Sequence, residues 1–159
     1  MKKKLSEEEI ILNEKKKEYL KQFQECVRAV RRIEEQIKEI ETDEMCPSAL
    51  CMNGIPVKAS FNDKDLSAYI AKKEKLLTDM IRARHKRIVV YQDIFERIEH
   101  MNDENERMIL TLRYIKGLKW EDIACQMSMD WSWVHRLHAK ALKNFELPKE
   151  AIESNYYIC

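Results

Sequence analysis

The residues best suited to chemistry lie near the C-terminal end of the chain, in the segment WSWVHRLHAKALK at residues 131–143. This segment contains two tryptophans, two histidines, one arginine and two lysines, and it has no acidic residue. Cations without neighbouring acids attract phosphate groups, and a guanidinium can pair with the edge of a guanine base. The segment therefore indicates contact with nucleic acid.

Patterns typical of catalysis are not evident in the sequence. Gly54 and Gly117 are the only glycines, so the sequence contains neither a Gly-rich phosphate loop nor a dinucleotide-binding fingerprint. No nucleophile stands in a pattern with a base and an oxyanion donor. We therefore expect a protein that is not an enzyme and that needs no cofactor.

A metal site is the other chemistry that the histidines and cysteines suggest. His135 and His138 lie one helical turn apart, and Cys125 is nearby in the sequence. Structural zinc needs four ligands in paired spacings, and no C-x-x-C pair accompanies these residues. Cys46 and Cys51 form a single pair without a matching pair downstream. The sequence therefore predicts no metal site, and the odd total of five cysteines favours reduced thiols.

Composition indicates which elements hold this segment. The chain has 159 residues, of which 36% are charged, with only two glycines and three prolines, and this composition favours long helices in an all-α fold. Hydrophobic residues make up 45% of the chain, which is ample for a core. No apolar run approaches the roughly 20 residues of a membrane-spanning helix, and the N-terminal MKKKLSEEEIIL turns acidic where a signal peptide turns apolar. We expect a cytoplasmic protein without membrane contact.

Two long segments carry apolar residues at alternating spacings of three and four, the pattern of packed helices. They run from about residue 5 to 41 and from about residue 64 to 101, and the Pro-containing segment 42–63 between them predicts a loop. Each stripe needs a partner, so residues 1–100 are expected to form a long antiparallel, coiled-coil-like helical hairpin or to pair between chains. The expected contacts join Phe23, Val30, Ile33 and Ile37 to Leu77, Ile81, Ile88 and Phe95.

A small C-terminal domain is predicted for residues 101–147, after the polar segment MNDENER and before a tail at 148–159. Gly117 can end its first helix in the left-handed conformation. A helix at Trp120–Met127 and another from Trp131 are separated by the short turn SMD, which is the layout of a helix-turn-helix.

The crossing of these two helices has its own sequence pattern. Ala124 is small enough for a close approach, and the inward positions of the last helix are Val134, Leu137 and Ala141. Asp130 stands where a side-chain oxygen can cap that helix. Ser128 occupies the position at which many such turns have glycine for its positive φ.

The segment ENERMILTLRYIKGLKWEDIACQMSMDWSWVHRLHAKALKNFE, residues 104–146, resembles region four of bacterial sigma factors. The matching positions are Arg107, Ile109, Leu110, Leu112, Arg113, Tyr114, Gly117, Leu118, Ile123, Ala124, Val134, Ala141 and Leu142. The wider arrangement is similar to a family of small sigma-like prophage proteins of Gram-positive bacteria, whose relatives include phage late-gene transcriptional activators. This resemblance implies a DNA-binding regulator.

Helix-turn-helix proteins insert the N-terminal part of the second helix into the major groove. The groove candidates are Trp131, Ser132, His135 and Arg136, the phosphate candidates are Lys140 and Lys143, and Lys116 and Lys119 flank the start of the first helix. Arg136 is the expected base reader, because a guanidinium can pair bidentately with guanine. The alternative is that Arg136 pairs with an acid such as Glu121 or Asp122.

Two function classes follow from these observations. In the first, the protein is a sequence-specific, double-stranded-DNA-binding transcriptional regulator, and its long helices mediate homo-oligomer formation or contact RNA polymerase. In the second, it is a phage DNA-packaging or assembly protein, similar to a small terminase subunit, that uses the same motif to hold DNA. A purely structural coiled coil, which would not bind DNA, is a third possibility.

Overall fold

The computed structural model describes residues 7–45 and 63–149. Their helices are α1 (Glu7–Met45), α2 (Asp63–Glu99), α3 (Glu104–Leu110), α4 (Trp120–Met127) and α5 (Trp131–Asn144). Thr111–Ile115 continues α3 as a π-helical turn. No strand occurs in these residues, and the all-α prediction is confirmed. The loop was predicted from residue 42, but α1 continues to Met45 because these residues extend its helical hydrogen bonding. The rest of the predicted loop, with Cys46 and Cys51, and the tail after residue 149 lie outside the described residues.

Helix ends follow local chemistry. Three glutamates fill the first turn of α1, where negative charge is favoured by the helix dipole. Asp103 is the N-cap residue of α3, and its carboxylate accepts from the backbone N–H groups of Asn105 and Glu106 at 2.9 and 3.3 Å. Gly117 has the predicted positive φ, at 70°, between the π-helical turn and α4. None of the described helices holds an apolar stretch that could cross a membrane.

Contacts divide the described chain into two compact units. One comprises residues 7–25 and 87–149, and the other comprises residues 26–45 and 63–86. The boundary predicted near residue 100 falls inside the first unit. The reason is that Leu20, Ile94 and Ile98 belong to the same buried core as residues of α3, α4 and α5.

The first unit is built around that core. Its buried members are Tyr19, Leu20, Ile94, Ile98, Met101, Ile109, Leu110, Leu112, Tyr114, Ile123, Val134, Leu137, Ala141, Leu142 and Phe145. The Tyr19 hydroxyl donates to the Asp93 carboxylate, and Arg97 Nε donates to both, at 3.1 Å each. One turn further along α1, the Phe23 ring lies 5.4 Å from the ring of Tyr91, centre to centre. The contacts of α1 and α2 in this unit therefore follow opposite chain directions.

The second unit buries fewer side chains, namely Cys26, Val30, Ile40 and Met80. Glu34 pairs with Arg84 at 3.0 Å, and Glu41 pairs with Lys73 at 3.6 Å. Here too the order along α1 is the reverse of the order along α2.

The predicted packing face of α2 is corrected by the structure. Leu77, Ile81 and Ile88, which were expected to pack against α1, are 45%, 70% and 52% exposed. The buried side chains of α2 are instead Met80 in the second unit and Ile94 and Ile98 in the first. On α1, Val30 is buried, and Phe23, Ile33 and Ile37 are partly buried. Apolar residues occupy two adjacent faces of α2, and helical spacing alone does not distinguish the covered face from the exposed one.

Candidate nucleic-acid interface

Residues 128–130 connect α4 and α5 through a tight turn. Ser128 adopts the left-handed conformation, with φ 52° and ψ 43°, at the position where many such turns have glycine. The backbone N–H of Ser128 donates to the Cys125 carbonyl at 3.2 Å, and that of Met129 donates to the Ala124 carbonyl at 3.0 Å. These bonds satisfy carbonyls at the end of α4 and redirect the chain into α5.

The start of α5 differs from its prediction in one respect. Asp130 is the N-cap residue, but its side chain makes no capping hydrogen bond. Its backbone carbonyl accepts from the N–H groups of Trp133 and Val134 at 2.9 and 3.0 Å. The predicted side-chain cap is not formed, and backbone hydrogen bonds close the first turn of α5.

One face of α5 lies in the core. Val134, Leu137 and Ala141 are 0%, 5% and 0% exposed, as predicted from their spacing. Ile123 of α4 is also fully buried in this core, and Ala124 is partly buried against it. The remaining face of the N-terminal half of α5 is exposed, with Trp131, Ser132, Trp133 and Arg136 on it.

Arg136 lies on this exposed face. Its Nε donates to the Ser132 carbonyl at 3.4 Å, and its guanidinium carbon lies 5.5 Å from the centre of the Trp133 ring. Among the described residues, no carboxylate forms an ion pair with Arg136, so the suggested pairing with Glu121 or Asp122 is not observed. Such a guanidinium keeps donors for a ligand.

The two histidines of α5 are held by aromatic rings. His135 is partly buried, with its ring 4.1 Å from that of Trp131 and 4.6 Å from that of Trp120. His138 is buried, and its Nε2 lies 3.0 Å from the Tyr114 hydroxyl. Burial lowers the pKa of His138 to about 4 and raises that of Tyr114 to about 12, so neutral forms of both groups are favoured.

Exposed indoles are a further property of this surface. Trp131 and Trp133 are 57% and 46% exposed. Trp120 is only partly buried, and the Arg113 guanidinium carbon lies 4.4 Å from the centre of its ring. Indole faces next to guanidinium groups suit contact with sugars, bases or apolar base methyls.

Lys140 has partners that the sequence did not suggest. Its ammonium lies 2.9 Å from a carboxylate oxygen of Asp103 and 2.8 Å from one of Glu106. Hydrogen bonds, first to Glu106 and then to Asp103, raise the pKa of Lys140 to about 12. Glu106 is only 1% exposed, and the Asn144 amide donates to both of its carboxylate oxygens at 3.0 and 2.9 Å. Lys140 therefore neutralises a buried carboxylate as well as standing near the exposed face.

Lys16 of α1 is a second residue that sequence reasoning missed. It is 6% exposed, and its ammonium donates to the carbonyls of Leu142 and Lys143 at 2.8 and 3.1 Å. These carbonyls lie in the last turn of α5, where a cation is favoured by the helix dipole. Burial lowers the pKa of Lys16. A lysine in a Lys-rich helix of 39 residues carries no local signal of this role.

The remaining predicted phosphate contacts are exposed lysines at the ends of the interface. Lys143 is in the last turn of α5, Lys119 is the N-cap residue of α4, and Lys116 follows the π-helical turn. The π-helical turn just before Lys116 is held from α1, because the Gln24 amide donates to the Tyr114 and Ile115 carbonyls at 3.2 and 2.7 Å.

The structure also bears on the candidate metal ligands. Within residues 7–45 and 63–149, no three side chains of His, Cys, Asp or Glu are grouped so that they could hold a metal ion. His135 and His138 contact tryptophans instead, and Cys125 is exposed on α4.

Comparison of the chain with models of known protein families, with curated proteins and with solved structures found no match.

Proposed function

We propose that this protein is a cytoplasmic, sequence-specific regulator of transcription that binds double-stranded DNA through a helix-turn-helix formed by α4, residues 128–130 and α5. The observation that carries the proposal is the division of α5 into two faces. Val134 and Leu137 anchor one face in the core, and Trp131 and Arg136 lie on the exposed face. A helix held in this way can enter the major groove with its N-terminal half.

Arg136 is the proposed base reader on this helix. Its side chain is exposed and has no ion pair among the described residues, so binding DNA would not require it to leave a carboxylate. In the groove, a guanidinium can donate to N7 and O6 of one guanine, and each such pair contributes about 1–3 kcal/mol of discrimination. Trp131 and Ser132 lie on the same exposed segment and would contact neighbouring base edges or sugars.

The lysines would position the protein on the phosphates. Lys116 and Lys119 precede α4, and Lys143 ends the exposed side of α5. Lys140 is also proposed to approach a phosphate, since its side chain remains 59% exposed while it pairs with Asp103 and Glu106. Phosphate contacts fix orientation and contribute affinity for any sequence.

In the same proposal, α1 and α2 form a helical hairpin that supports the DNA-binding helices. The reversed order of their contacts within each unit supports it. Lys16 and Gln24 of α1 donate to carbonyls of α5 and of the segment before α4, and they link this support to the proposed interface.

The test is to select bound duplexes from a random DNA pool and to compare binding of the selected site with binding of a random duplex at several salt concentrations. We expect Arg136→Ala to weaken binding to the selected site by about one to two orders of magnitude, with little change on random DNA. Lys143→Ala should weaken both complexes alike and lower the salt slope by about one. Lys38→Ala, at an exposed position of α1, is the matched control and should change neither complex.

Two results would contradict this proposal at different levels. Equal losses on both duplexes for Arg136→Ala would remove Arg136 as a base reader but keep the interface. Failure of the wild-type protein to bind any duplex, even at low salt, would exclude the proposed function. The position of the selected site relative to a promoter, combined with reporter transcription, would then connect binding to regulation.

A further inference from the structure

An uncovered apolar stripe lies on α2 in the second unit. Ile70, Leu77 and Ile81 are 47%, 45% and 70% exposed, although they follow the spacing of a packed helix face. Two charged residues continue the same spacing, Glu74 between Ile70 and Leu77 and Arg84 after Ile81. These five residues form the α2 stripe, which lies about a quarter of a turn away from the buried Met80 face of the helix.

The arrangement of the α2 stripe is self-complementary. Leu77 and Ile81 each lie two positions from residue 79, and Glu74 and Arg84 each lie five positions from it. If two α2 helices pair antiparallel around a two-fold axis at residue 79, Leu77 of each copy faces Ile81 of the other. Glu74 of each copy then faces Arg84 of the other, which gives two equivalent ion pairs.

We propose that two copies of this chain associate antiparallel through the α2 stripe. A different partner would not account for opposite charges placed symmetrically about the centre of an apolar stripe. Two basic residues in this part of α2 have a carboxylate partner within each copy, because Arg84 pairs with Glu34 and Lys73 pairs with Glu41. Arg84 is 55% exposed in its pair, so its guanidinium can donate to a second carboxylate, from the other copy. This association does not depend on DNA binding.

The first test measures the oligomeric state of the full chain by sedimentation velocity over a concentration series, without DNA. We expect a dimer for the wild-type protein. Ile81→Asp should weaken the dimer by more than about tenfold, because a carboxylate would be buried at the centre of the interface. Val89→Asp is the matched control, since Val89 is 49% exposed on another face of α2 and should leave the dimer unchanged. Circular dichroism of both variants would verify that the helices remain formed.

The second test uses the charges and determines the orientation. Glu74→Arg alone places arginine against Arg84 of the other copy, and Arg84→Glu alone places glutamate against Glu74, so each variant should be weaker as a dimer. Mixing the two variants restores both ion pairs in a heterodimer, and the mixture should dimerise at least tenfold more tightly than either variant alone.

Three outcomes would overturn the proposal. One is a monomeric wild-type protein, which would assign the stripe to another occupant, such as a different protein or another segment of this chain. The second is a dimer that Ile81→Asp leaves intact. The third is a mixture of the charge variants that remains as weak as its components, which would exclude antiparallel pairing of two copies.

Discussion

At the scale of single residues, the polar side chains of α5 divide between the core and the exposed face. Arg136 is exposed and is bound only to its own helix and to Trp133 in the contacts described above. Lys140, one turn later, neutralises Glu106. His138 is buried against Tyr114, so its contacts stabilise the fold and do not lie on the exposed face. If a substitution of Lys140 or His138 abolished DNA binding, a separate measurement of folding would be needed, because both side chains also stabilise the structure. Arg136 is exposed, so it can be replaced without removing a buried contact.

His138 makes stability depend on pH. Burial lowers its pKa from 6.5 to about 4, so between these values the unfolded chain binds a proton that the native state does not. The contribution of His138 to the free energy of unfolding is greatest above about pH 6.5, where the side chain is neutral in both states. It falls as the pH falls toward 4, by a total on the order of 3 kcal/mol. We expect His138→Gln to lose this part of the pH dependence in urea unfolding experiments. The control is His100→Gln, at an exposed position, and an identical pH dependence in all three proteins would contradict the prediction.

At the scale of elements, α5 is held by a group distant in the chain. Its last-turn carbonyls accept from Lys16 of α1, and Val134, Leu137 and Ala141 pack its apolar side into the core. The exposed face of α5 is thus presented by a helix that is fixed at its C-terminal end and along its apolar side. Such fixation reduces the conformational freedom that the helix would lose on binding a ligand.

Replacement of Lys16 by methionine tests this support. Lys16→Met retains an apolar chain of similar length but removes both hydrogen bonds to α5. We expect the free energy of unfolding to fall by about 1–2 kcal/mol, because part of the lost hydrogen bonding is offset by no longer burying a charge. Lys15→Met, at the neighbouring exposed position, should change stability by less than about 0.5 kcal/mol. Equal stability of the two variants in denaturant titrations would show that the Lys16 contact contributes nothing.

At the scale of the whole molecule, the core of the first unit combines segments from both ends of the described chain. Leu20 and Ile94 lie in one cluster with Ile109 and Val134. A fragment of residues 101–159 lacks Leu20, Ile94 and Ile98, so we expect it to melt without a cooperative transition in circular dichroism. As the control, residues 31–81 are replaced by a short flexible linker, which keeps both parts of the first unit and should preserve cooperative melting. Cooperative unfolding of the fragment at the wild-type temperature would contradict this prediction.

Much of the fold follows from local sequence. Scarce glycine and proline, together with helical spacing, predicted α1, α2, α4 and α5, since backbone propensity and periodicity act over a few residues. The positive φ of Gly117 follows from turn chemistry at a single position. The inward positions Val134, Leu137 and Ala141 follow from the spacing of a short amphipathic helix with a single apolar face.

Other features were decided by tertiary structure alone. Two adjacent faces of α2 have helical spacing, and only contact with α1 and the C-terminal helices determined that Met80, Ile94 and Ile98 are covered while Ile81 is exposed. The partners of Lys16 and Lys140 are separated from them by many residues. A lysine in a helix fits an exposed position as well as a contact with buried carbonyls or with a buried carboxylate. Periodicity assigns a side chain to a face of its own helix. It carries no information about which distant segment that face meets, because that depends on how the whole chain packs.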